Sequence, residues 1–191
     1  MKRARVIAAI DAANAADPRQ TPNGKPFEVD HAERMTAWIQ RLDPGASDLL
    51  HIAARGQHLE RWRSPRSSYP EGRGGYLRWR EDLKLFHARR VAELMADAGY
   101  GVDEINRVAA LITKAAHRAG DSEGVLLEDA LCLVFLETQF KDLLSKTPDE
   151  KMTDILKKTW QKMSPAGRAA AQALSFSPQE QRALSKAISI E

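Results

Sequence analysis

Two imidazoles and a carboxylate, His31, His58 and Asp129, each fall within a stretch whose apolar residues recur at helical spacing. On such a stripe a polar side chain without a partner costs roughly 1–3 kcal/mol. Groups kept at that cost are either hydrogen bonded one by one or converge on a divalent cation. Neutral imidazole and carboxylate donors suit Mn, Fe, Co, Ni or Zn better than Ca. A cation held this way lowers the pKa of a bound water and polarises a phosphoryl or carbonyl oxygen. Arg55, Arg61 and Lys114 are the candidates to receive the developing negative charge. Lys114 stands out because it interrupts the apolar run I-T-K-A-A-H, although a lysine there can also snorkel to the surface. His51 and His117 read as residues without a part in this chemistry.

A second chemical signal lies between Arg61 and Arg90. This window holds nine Arg and Lys against Glu71, Glu81 and Asp82, a local net of +6 that leaves −3 for the remainder of a chain of net charge +3. Trp62, Tyr69, Tyr76, Trp79 and Phe86 are interleaved with the positive charges. Flat rings among cations suit a ligand that is both anionic and aromatic, a nucleotide or an unpaired nucleic-acid strand. The candidate substrate contacts are Arg61, Trp62, Arg66, Tyr69, Arg73, Tyr76, Arg78, Trp79, Arg80 and His87. The competing reading is a solvated basic loop whose rings cap the core.

These residues must be positioned by helices. Nearly every segment shows a 3.6-residue period, and no pair of alternating runs flanks a hairpin turn, so the expected fold is all-α, a single-domain helical bundle of about eight helices over residues 1–191. The first helix is expected from Arg3 to Ala16, and the second from Pro26 or Phe27 to Asp43-Pro44 with His31 on its buried stripe. The third runs from Ala46 to Arg61 and carries His58 inward. Ser64 to Gly75 is a turn-rich loop of a length that in compact domains tends to be functional or disordered. Further helices are expected over Tyr76–Ala98, Val102–His117 and Ser122–Leu144, the last apolar nearly all round. Capping boxes at T-P-D-E and S-P-Q-E, with a short helix after Ser164-Pro165 between them, mark C-terminal helices over 147–190 packed on a core of about 27–144.

Composition narrows the class. At 43% hydrophobic and 29% charged, with no apolar run near the 18 or so residues that cross a bilayer, the chain reads as soluble and free of a membrane. The start M-K-R-A-R-V-I-A-A-I-D is broken by Asp11 before a long apolar region develops, which argues against export. The lone Cys132, in L-C-L-V-F-L, cannot form an internal disulfide and suits a reducing cytoplasm. The sequence leaves the oligomeric state open.

The order of V-D-H-A-E-R-M, H-I-A-A-R-G-Q-H-L-E-R-W, F-H-A-R-R and L-L-E-D-A-L-C-L distantly resembles the HD hydrolase superfamily. The resemblance implies an HD-like helical core and metal ligation by His31, His58 and Asp129. It departs from the pattern at Leu59, where the superfamily has an Asp that binds metal and orients the attacking water. Glu128, His87 and Glu60 are possible replacements, Glu60 the least suited on a continuous helix. More closely, Q-H-L-E-R-W, Y-P-E-G-R-G-G-Y-L-R-W-R, L-E-D-A-L-C-L-V-F-L-E and L-K-K-T-W-Q-K-M-S resemble a small microbial family, domain of unknown function 4202.

Together these imply a metal-dependent hydrolase of a nucleotide-containing substrate, with Arg55, Lys114 and Glu128 as catalytic candidates. The close family implies removal of glutamate from glutamyl-queuosine in tRNA. The alternatives are a phosphohydrolase of free nucleotides and a non-catalytic RNA- or nucleotide-binding module, the latter motivated by Leu59.

Overall fold

The computed structural model describes residues 1–189, and these are all-α. The helices are α1 (Lys2–Asn14), α2 (Phe27–Leu42), α3 (Asp48–Gly56), α4 (Gly72–Asp97), α5 (Val102–Ile112), α6 (Ala115–Arg118), α7 (Ser122–Thr138), α8 (Phe140–Lys146), α9 (Asp149–Lys162), α10 (Pro165–Gln172) and α11 (Pro178–Ile188). Two short 3₁₀ turns, Arg61–Arg63 and Arg66–Ser68, lie between α3 and α4. An isolated bridge joins Gln20 and Pro26, and no strand forms among the described residues. No described helix is long and apolar enough to cross a membrane.

Local chemistry fixes the ends that matter. Pro26 (φ −54°) leads into α2, and Glu28 and Asp30 in the first turn complement the positive end of the helix dipole. Leu42 ends α2 just before Asp43-Pro44, where the proline disfavours continuation. Ser47 starts α3 by accepting a hydrogen bond from the Leu50 N–H at 3.1 Å. Ser177 and Glu180 form the expected capping box on α11, whereas Thr147 leaves α9 to begin behind Pro148 without a side-chain cap.

The chain divides into two compact units, residues 1–124 and residue 125 onward. In the first, α3 is the central element and packs against α1, α2, α4 and α5. Its core is built from Val6 and Ile10 of α1, Met35 and Ile39 of α2, Leu50 and Ile52 of α3, Val91 and Met95 of α4, and Leu111 and Ile112 of α5, all essentially inaccessible to solvent. Gly56 closes α3 against α4 so tightly that a Cβ there would stand 2.4 Å from Val91 Cγ2. In the second unit α9 packs on α8 and α11, burying Phe140, Met152, Leu156 and Trp160.

Several expected boundaries shift, mostly toward shorter elements. The third helix stops at Gly56 rather than Arg61, so His58 sits on the turn that follows it. The helix expected over Val102–His117 breaks at Lys114, which adopts a left-handed conformation (φ 63°), and the one over Ser122–Leu144 breaks at Gln139. Helix α4 begins earlier than expected, at Gly72, and takes up the end of the proposed loop. There are thus eleven α-helices among the described residues instead of about eight. The last expected helical residue, position 190, lies outside the described residues.

Candidate functional site

The first turn of α2 supplies two polar groups to one face. Glu28 and His31 are three residues apart, one helical turn, and both are buried, at 0% and 5% exposure. The Glu28 backbone N–H donates to Asp17 Oδ2 at 3.1 Å, and Arg19 donates from Nη2 both to Asp17 Oδ2 (2.9 Å) and to Glu28 Oε1 (2.6 Å). One arginine thus bridges two buried carboxylates. Burial pushes Asp17 up, yet the hydrogen bonds from Arg19 outweigh it and hold this carboxyl below its ordinary value. Burial dominates at Glu28, which rises to about 7 against the pull of Arg19. The difference follows from partners, because Glu28 Oε2 is buried and has no hydrogen bond at all.

The turn after α3 brings His58 to Glu28, with Nδ1 3.7 Å from Oε2, too long for a hydrogen bond. Leu59, fully buried, anchors this turn in the core, and its carbonyl receives the Nδ1–H of His87 from α4 at 2.8 Å. A carbonyl oxygen has no hydrogen to give, so Nδ1 of His87 carries the proton and Nε2 keeps a lone pair. That Nε2, like Nε2 of His31, is buried without a partner. The rings of His31 and His58 stack at 4.1 Å between centroids and 12° between planes, and His58 and His87 lie 5.8 Å apart.

The surroundings keep these imidazoles neutral. Burial lowers His31 to about 3 and His87 to about 4, assisted in each case by the nearby Arg61. His58, about a fifth exposed, is also held well below its ordinary value by burial and then by His31 and Arg61. The turn is fixed from outside the cluster by Asn14, whose Oδ1 accepts from the Glu60 N–H at 3.0 Å while Nδ2 reaches the Glu28 carbonyl at 3.5 Å. Glu60 itself takes a left-handed conformation (φ 53°) and is pinned by Arg63 (2.8 Å) and Arg90 (2.7 Å), so it turns away to a separate ion-pair network.

The remaining expected residues fall into three groups. Arg61 stacks over Trp79 at 4.9 Å, and Arg80 stacks over Tyr76 at 5.8 Å, whereas Arg73 and Arg78 are exposed and Trp62 and Tyr69 half-buried. Other charges are already engaged. Arg55 makes a bidentate pair with Asp11 on α1 (2.6 and 2.9 Å), and Arg66 closes its own loop through the carbonyls of Tyr69 and Pro70 (2.9 and 2.8 Å). Lys114, at the break between α5 and α6, lies within electrostatic reach of His58.

Glu128 and Asp129 belong to the second unit. Glu128 Oε1 lies 3.8 Å from Lys162 Nζ, and Asp129 accepts from the Ser164 N–H (2.8 Å) and hydroxyl (2.5 Å), which secures the start of α10. Of the expected ligand set, His31 and His58 thus belong to the first unit, and Asp129 belongs to the second, where a serine 35 residues away uses its carboxylate as a cap; as the side chains stand, no three His, Cys, Asp or Glu among the described residues are placed to hold a metal ion. Asp129→Ala is therefore expected to destabilise the protein by about 1–3 kcal/mol, the range for a buried cap and its orphaned donors, read as a fall in urea midpoint.

Glu28 is the residue that sequence reasoning missed. The available signal was its position three before His31. A carboxylate in the first turn of a helix ordinarily reads as a partner of the dipole. The position of Leu59 makes a second expectation definite. Leu59→Asp, which would restore the superfamily doublet in sequence, would bury an unpaired carboxylate in the core and cost at least about 3–5 kcal/mol, measured by thermal or urea unfolding.

What remains is a buried cluster of three neutral imidazoles and one carboxylate, beside a guanidinium, with three polar atoms left unsatisfied. It can receive hydrogen-bond donors, a cation or a polarised water, and it can take up a proton at Glu28. No curated protein and no solved structure matches the chain. A family model described as Domain of unknown function (DUF4202) does match, over residues 4–184, and a match over almost the whole chain makes this protein a member of that family.

Proposed function

We propose that the protein is a hydrolase of an anionic, nucleotide-containing substrate, with the reaction taking place at Glu28, His31, His58 and His87. The observation that carries this reading is the set of three buried polar atoms without partners, Glu28 Oε2, His31 Nε2 and His87 Nε2, gathered around His58. Each costs stability when left alone, and such costs persist where a ligand satisfies the groups.

The HD-like resemblance implies a divalent metal, but as the side chains stand no three of His31, His58, His87 and Glu28 are placed to hold one, so the reading rests on the cluster's own groups. Glu28 then has the free oxygen and the pKa near 7 suited to accepting a proton. Arg19 holds the other oxygen of this carboxylate and fixes its orientation. Arg61, cationic beside the cluster and stacked on Trp79, stabilises negative charge that develops on the reacting oxygen.

For the substrate, the resemblance to the family supports tRNA carrying glutamyl-queuosine, with loss of glutamate from the modified base. That ester hydrolysis needs only an activated water and a group to stabilise the oxyanion. The test is release of free glutamate from such a tRNA, run alongside hydrolysis of free nucleotides and metal analysis of the purified protein. Glutamate release that is lost in His58→Ala supports the reading. Phosphate release from mononucleotides would move the substrate to free nucleotides. Leu59, a core residue where the superfamily has its acid, favours a second reading, a binding module without turnover. Binding of tRNA with no product released would establish it.

A further inference from the structure

A row of two rings flanked by two guanidiniums joins the N-terminal half of α4 to the 3₁₀ turn Arg61–Arg63. Arg61 lies over the Trp79 ring at 4.9 Å, the rings of Trp79 and Tyr76 are 5.9 Å apart, and Arg80 lies over Tyr76 at 5.8 Å. The row is held in place: Trp79 Nε1 donates to the Ser64 carbonyl at 2.9 Å, and Arg80 Nη1 donates to the Tyr76 hydroxyl at 3.0 Å. Neither Arg61 nor Arg80 has a carboxylate at salt-bridge distance among the described residues, although Glu81 and Asp82 follow directly in the chain. Glu81 pairs with Lys84, and Asp82 lies nearest Arg78 at 3.9 Å. Two positive charges without a salt bridge, close enough to repel each other, therefore flank two rings; Arg61 feels Glu28 only at longer range, and Tyr76 remains 42% exposed.

We infer that this row seats one unpaired nucleotide of a nucleic-acid strand, with a backbone phosphate between Arg61 and Arg80 and the base against the open face of Tyr76. The inference rests on the reading that the substrate contains a nucleotide, and it specifies the form, a single strand. A phosphate answers the two charges. A base answers the ring, because stacking accepts any base but needs a free face, which a paired duplex does not offer. An acidic peptide would satisfy the guanidiniums and leave Tyr76 uncovered. Arg61 stands both in this row and within electrostatic reach of Glu28, His31, His58 and His87, so a nucleotide seated here lies beside the reacting groups.

The experiment is fluorescence anisotropy with the full chain and a labelled oligoadenylate of roughly ten nucleotides. Comparisons are its RNA duplex, the equivalent single-stranded DNA, adenosine monophosphate and polyglutamate. The single strands should bind at least about tenfold more tightly than the duplex. Tyr76→Ala should weaken binding about tenfold and Tyr76→Phe should restore most of it, as ring stacking requires. Arg80→Ala should lower the slope of log Kd against log salt by about 0.7, the value for one phosphate contact on a single strand. Tyr76 is exposed, so its variants keep the fold, which circular dichroism checks. Equal binding of duplex, indifference to Tyr76→Ala, or equal competition by polyglutamate overturns the inference. Because only binding is read, hydrolysis can fail while the row stands, and the row can fail while mononucleotides are still hydrolysed.

Discussion

His58→Ala is expected to lower kcat by about 100- to 10,000-fold, the span typical for loss of a positioned acid–base or charge-stabilising group. His58 is the member of the cluster that touches the others: it stacks on His31, neighbours His87 and stands nearest the free oxygen of Glu28. Its removal leaves a gap between the two flanking imidazoles and beside Glu28 Oε2. It also sits on a turn and is partly exposed, so the fold loses little. The fall should appear equally in kcat and in kcat/KM, as for an interaction made in the transition state. The same substitution at His117, outside the cluster, should leave turnover unchanged. Unchanged turnover in His58→Ala would remove the basis for the hydrolase reading.

Acidification is expected to unfold the protein in the window set by the same residues. His31, His58 and His87 have folded values far below the unfolded 6.5, so the unfolded chain binds more protons and stability is lost as pH falls below about 6.5. Glu28 works in the opposite sense. Its folded value near 7 exceeds the unfolded 4.5, so the folded chain binds the extra proton between those values and gains from acidification. Around pH 5.5, three protons favour unfolding and one opposes it, a slope of at most roughly 2–3 kcal/mol per pH unit. Urea titrations between pH 7 and pH 4.5 in the presence of a chelator measure it. Glu28→Gln removes the opposing proton and should steepen the slope. A flat profile would mean that the imidazoles are not held neutral by burial.

Much of this was legible because helical periodicity is written by the core. The stripe His31, Met35, Trp38, Ile39 faces inward as its spacing implies, and Pro26 and Asp43-Pro44 bound α2 as such signals do. The breaks at Lys114 and Gln139 carry no Gly or Pro, so only tertiary packing imposes them. His58 was placed inward for a reason that does not apply: it belongs to a turn directed by buried Leu59, not to a helix face. Glu28 and Asp129 show the limit more sharply. Each is a buried carboxylate on a helix, and what separates one with an open oxygen from a cap is the partner it meets in the fold. Arg19 reaches only one Glu28 oxygen, whereas Ser164 engages both of Asp129.

The hydrogen bond between His87 and the Leu59 carbonyl sets a rule of admission. With the proton fixed on the outer nitrogen, the inner one can only accept. A visitor to that nitrogen must bring a hydroxyl, an amine or positive charge of its own, and a bare oxyanion is turned toward Arg61 instead. The backbone of a core leucine thereby determines how a guest may face before any side chain touches it.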